Sequence, residues 1–134
     1  MRNLLRNEGG ATLVEFALLA PVFFLLLFGT IESARLAWTR QTLDTVAYSS
    51  ARCLSVSSAC DGTGALESYA VDRAQGYGLT LASAGVVPQS DVTCNGFPNS
   101  SEVTITHTFH SVMDGFVPVF PAQIQVKSCF PTLS

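Results

Sequence analysis

Residues 13–31 are apolar apart from Glu15, Pro21 and Thr30, and this run constrains the chain more than any other feature. As a helix it would rise about 28 Å, close to the hydrocarbon thickness of a bilayer. A charged side chain at the centre of a spanning helix costs roughly 2.5–3.5 kcal/mol on insertion scales. Glu15, near the start of the run, therefore calls for an explanation. Composition agrees with a membrane segment. Mean hydropathy is +0.35. Charged residues make up 13% of the chain, against roughly 25% in soluble domains. The apolar excess lies near the N-terminus rather than spread as a core.

The stretch "FALLAPVFFLLLFG" could also be the apolar part of a secretory signal, but no small-x-small cleavage site follows it. In "GTIESARLAW" Glu32 or Arg35 stands where small residues would be needed. A retained helix is the better reading. Arg2 and Arg6 precede the span while Arg35 and Arg40 follow it, so charge counting gives the N-terminus a slight cytoplasmic preference. All four Cys lie after the span, where an exported domain meets oxidising conditions. The expected topology is N-terminus in, C-terminus out.

No Gly or Pro interrupts residues 30–53, and the helix is expected to continue to about residue 54. Beyond the span, Ala34, Trp38, Val46, Ala47, Ser50, Ala51 and Leu54 approximate an apolar stripe at helical spacing. Glu32 and Arg35 can pair at i,i+3, and Arg40 and Asp44 at i,i+4. "SVSSACDGTG" reads as a loop and "ALESYAVDRAQGYG" as a short second helix, with Leu66, Tyr69, Ala70 and Arg73 on one face. The period then changes to two. "DVTC" is a short strand, "SEVTITHTF" alternates Val103, Ile105, His107 and Phe109 against threonines, and "AQIQVKSCF" turns Ile124 and Val126 inward. "DGFVPVFP" is a Pro-bounded connection. The fold class expected is α+β and membrane-anchored: a long N-terminal helix, a short second helix and a small antiparallel C-terminal sheet.

Catalytic and metal motifs are not found: there is no G-x-S-x-G, H-E-x-x-H or phosphate-binding Gly loop. His107 and His110 fall on opposite sides of a strand by parity, one half-buried and one exposed, and do not suit a shared metal. "NSS" at Asn99 matches a glycosylation sequon but reads as a plain turn. No enzyme activity, cofactor or metal is expected. The net charge of −3 is weak and unclustered, which argues against nucleic acid. Four Cys allow three disulfide connectivities. The local one is preferred: Cys53 ends the helix just before Cys60, and Cys94 and Cys129 sit in strands that can be neighbours.

The N-terminal residues together resemble a type IV prepilin, and more narrowly a TadE-like pseudopilin of the Tad (tight adherence) pilus. The likeness rests on a basic leader ending in Gly, "MRNLLRNEGG", then four residues, "ATLV", then Glu15 and Phe16, then the apolar helix. "EFALLAP", which places Pro21 six residues after the Glu, is especially like TadE proteins. The resemblance implies cleavage between Gly10 and Ala11 by a membrane aspartyl prepilin peptidase, with Glu15 and Phe16 serving subunit docking. The chain is longer than the short major subunits of such systems and lacks the large extra domain of TadG-like relatives, which implies a minor pilin or pseudopilin.

The domain plan that follows is 1–10 leader, 11–31 transmembrane helix, 32–54 amphipathic extension and 55–134 extracytoplasmic α+β head. The expected location is a bacterial inner membrane, single-pass, with possible entry into the pilus. The expected partners are the prepilin peptidase, other pilin and pseudopilin subunits, the inner-membrane assembly platform and the lipid bilayer. A permanently anchored extracytoplasmic binding domain that never joins a filament is the alternative. Pro21 is expected to bend or loosen the spanning helix, because it removes one N–H and crowds the Ala17 carbonyl.

Overall fold

The computed structural model describes residues 8–62, 64–115 and 119–132. The leader residues 1–7, including Arg2 and Arg6, and residues 116–118 of the Pro-bounded connection lie outside the described residues. The chain divides into two compact units, Met1–Arg35 and Leu36–Ser134.

Helix α1 runs Glu8–Val56 and includes Pro21. It starts ahead of the expected residue 11, with Gly9 and Gly10 already helical. Once the apolar helix has nucleated, extending it through a Gly costs only about 1 kcal/mol relative to Ala. No Pro in "NEGGAT" opposes that extension. Within the first unit every described side chain from 12 to 31 is exposed or half-exposed. The hydroxyls of Thr30 and Ser33 donate back to the Leu27 and Gly29 carbonyls, each at 2.8 Å. They are thereby satisfied within the helix itself.

In the second unit α1 turns Leu43, Val46, Ala47 and Ala51 fully inward. Two members of the expected stripe do not belong to it: Ala34 is exposed and Trp38 is 64% exposed. The reason is helical phase. Measured from Leu43 at 100° per residue, Val46, Ala47 and Ala51 lie within about 80°, whereas Ala34 lies about 180° away and Trp38 about 140°. Thr39 and Glu32, one and two heptads before Val46, fall within about 40° of it, and both are buried. Arg35 donates to Glu32 at 3.0 Å, as the i,i+3 spacing predicts. The expected Arg40–Asp44 pair does not form: among the described residues neither makes an ion pair.

A 3-10 turn at Ser58–Cys60, capped by the Ser57 hydroxyl accepting from the Ala59 N–H, leads to helix α2, Ala65–Gly76. Helix α2 buries Leu66, Ala70 and Ala74 at successive i+4 steps. Arg73, expected on that face, is exposed rather than part of the core and stands in the last turn, where a cation complements the helix dipole.

Three strands follow, β1 (Val86–Cys94), β2 (Phe97–Thr108) and β3 (Gln123–Pro131), paired antiparallel in the order β1-β2-β3. Strand β1 is longer than "DVTC" alone. It starts at Val86, opposite Ile105, and tolerates Pro88 because it is an edge strand. Its register shifts around Asp91, which takes φ 58°, a left-handed conformation that Asp accepts more readily than most residues. Asn95 and Gly96, with φ 51° and 86°, turn the chain tightly between Cys94 and Phe97. An Asn-Gly pair with both φ positive is the preferred two-residue hairpin connection. Asn99 is not in a turn, as the sequence suggested, but within β2 at φ 53°, where its carbonyl accepts from the Thr132 N–H at 3.0 Å.

The inward residues Val86, Val103, Ile105, Ile124 and Val126 close one core with Leu43, Val46, Ala47 and Ala51 of α1 and Leu66, Ala70 and Ala74 of α2. The architecture is α+β, with a long apolar N-terminal helix, a short second helix and a three-stranded antiparallel sheet.

Candidate functional site: the N-terminal helix

The span is apolar on every side. Leu13, Phe16, Leu18 and Leu19 are all at least 62% exposed, and so is Val14. A helix of this kind has no polar stripe to give to water. Its 18-residue window has a mean hydropathy of 2.2 with none of it buried within the protein, so it is a candidate membrane anchor. The surroundings it needs are a bilayer or other apolar helices.

Gly10 lies in α1, exposed, and a Cβ built on it would meet nothing within 4 Å. Neither backbone conformation nor packing demands glycine there. A helix would rather have Ala at that position by about 1 kcal/mol. Ala11 follows in the same helix; its side chain lies outside the described residues. Glu15 is exposed and makes no ion pair among the described residues. Phe16 is 69% exposed beside it. From Ala11 to Glu15 is one turn, about 6 Å along the axis. Pro21 is exposed, and helical backbone runs unbroken through it.

The cysteines form the local pairs, Cys53–Cys60 and Cys94–Cys129, with Cα separations of 5.8 Å and 6.2 Å. Both fall in the ordinary span for a disulfide. The first ties the end of α1 to the 3-10 turn, and the second crosses the sheet from β1 to β3. Glu102 on the intervening strand β2 lies beside the second bridge, with Oε2 3.5 Å from Cys94 Sγ. Lys127 Nζ donates to its other oxygen at 2.8 Å. Cys94, Glu102 and Cys129 cluster as metal ligands would, but in the oxidised protein the two thiols are consumed by their own bond.

His107 sits in β2 opposite Ile124, half-buried, while His110 lies past the strand end and is exposed. Burial pushes the His107 imidazole below its ordinary value, and the proximity of His110, a like charge when protonated, lowers it further.

What sequence reasoning missed is the burial of Glu32 and the placing of Glu102 against the disulfide. Counting heptads back from Val46 finds the first. The second depends on sheet register and has no local signal.

No curated protein and no solved structure is detectably similar to this chain. A family model described as "TadE-like protein" matches residues 10–52, beginning at the glycine that packing leaves unexplained and running through the apolar span into the buried stripe of α1. Residues 10–52 are thus similar to TadE-like proteins of the Tad pilus system.

Proposed function

We propose that the chain is a minor pilin or pseudopilin, cleaved between Gly10 and Ala11 by a prepilin peptidase, that takes part in assembling a Tad-type adhesive pilus. The observation that supports the reading is an apolar span, exposed on all sides, whose one carboxylate, Glu15, stands a turn beyond Ala11. Cleavage would create an α-amine at Ala11. In a bundle of such helices that amine would enter an apolar core, where an unpaired ion costs several kcal/mol. Glu15 of a neighbouring subunit can neutralise it, with Phe16 filling the adjacent space. The pair favours one axial stagger, because any other register leaves both charges unmatched.

In this reading the N-terminus is cytoplasmic and the head lies outside the inner membrane, where both disulfides form. The partners are the peptidase, other pilin and pseudopilin subunits and the assembly platform. The role is structural, with no catalytic step. Co-purification with sheared pili tests it. Processed wild-type protein should appear in the sheared fraction. Its retention in the membrane alone would instead favour an anchored binding domain that does not join a filament.

A further inference from the structure

The second unit carries a cavity of about 400 Å³, separate from the N-terminal span. Helix α1 contributes Tyr48, Arg52 and Val56, at i, i+4 and i+8 on one helix face, and α2 contributes Tyr69 and Arg73, again at i and i+4. The volume lies within the roughly 300–1,000 Å³ of small-molecule sites. Its charge runs against that of the chain. The protein has a net charge of −3, yet no Asp or Glu lines this cavity. Neither Arg52 nor Arg73 forms an ion pair among the described residues. Two guanidiniums lining one cleft with no carboxylate in its wall suit an anion, and their planar forks match a carboxylate in particular.

The walls are already positioned. The Tyr48 ring meets Phe130 edge-on with centroids 6.0 Å apart. Tyr69 packs against the core cluster. Cys53, also in the wall, is tied to Cys60. Preformed walls reduce the ordering cost of binding.

We propose that this cleft binds an acidic saccharide, a uronate whose carboxylate lies between Arg52 and Arg73 and whose ring rests on Tyr48 and Tyr69. Aromatic faces suit the C–H side of a pyranose, and the hydroxyls of the tyrosines and of Ser49 and Ser57 suit its polar edge. A single acidic side chain of a protein partner, or a phosphate, would satisfy the charge and leave most of the space empty. The assignment holds whether or not the helix enters a filament.

The test is calorimetric titration of the full oxidised chain in detergent micelles with digalacturonate. Saturable one-site binding is expected, weakened about tenfold or more by Arg52→Gln and by Arg73→Gln, and retained in part by Arg52→Lys and Arg73→Lys. Arg40→Gln, on an exposed arginine outside the cleft, should bind as wild type. Neutral galactobiose should bind about tenfold more weakly or worse. No saturable binding, equal affinity for galactobiose, or indifference to both Arg→Gln changes would overturn the proposal. Tighter, arginine-dependent binding of tetraglutamate or inorganic phosphate would overturn it as well, and would reassign the cleft to a protein or a phosphate.

Discussion

A carboxylate at position 15 is costly in lipid and much less so when it has an amine to meet. The docking role predicts that Glu15→Leu inserts and is processed but disappears from sheared pili, while Glu15→Asp, shorter by one methylene, retains part of the incorporation. If Glu15→Leu protein is processed and recovered in pili at wild-type level, Glu15 serves only as an anion near the headgroups at a helix start. His107 gives a second prediction. Its imidazole is held below the ordinary 6.5 in the folded head. The unfolded chain therefore binds the proton more readily. This contribution to stability is present in full above the unfolded value and is lost as pH falls through it. The thermal midpoint of the oxidised protein should drop from about pH 7 to about pH 5, and His107→Gln should flatten that drop. An unchanged pH profile in His107→Gln would sink the assignment.

Helix α2 and the strands β2 and β3 were legible because each carries a period in its own sequence, 3.6 or 2, and the apolar half of α1 because its run is long and unbroken. Strand β1 was only partly legible, since Pro88, Gln89 and Ser90 look like a loop until an edge position excuses the proline. Two glycines needed the structure. Gly96 supplies the positive φ of the hairpin turn. Gly85 lies so close to the Thr106 carbonyl that a Cβ there would clash with it. The N-terminal site was legible because its parts are contiguous. The Arg52–Arg73 cleft was not, since its lining comes from two helices that are separate in the sequence. Of the two bridges, Cys94–Cys129 closes the longer loop, with a separation of 35 residues against 7. The double change Cys94→Ser with Cys129→Ser should cost about 2–4 kcal/mol in denaturant unfolding, and more than the same treatment of Cys53 and Cys60. An equal loss from both would contradict this loop-entropy argument. Pro21 is argued on the same footing. It cannot donate to the Ala17 carbonyl, so Pro21→Ala should straighten or stiffen the span, seen as slower amide exchange on either side of position 21. Unchanged exchange would make it an ordinary tolerated proline.

For the protein as a whole, an apolar helix with no partner and a small disulfide-tied head ask for different surroundings. The first unit needs lipid or other helices, whereas the second has its own core. Under the proposed function, a leader peptidase would link the two settings by changing one end of the helix. Removing residues 1–10 would take away two Arg and one Glu, shift side-chain charge from −3 to −4 and create the amine that the proposal pairs with Glu15. The pilin assignment therefore stands or falls on the mature N-terminus. Mass analysis of the protein extracted from its native membrane should give a terminal peptide that begins at Ala11, and Gly10→Val should return the full-length precursor. A native terminus at Met1, or one beyond the apolar run, would contradict it.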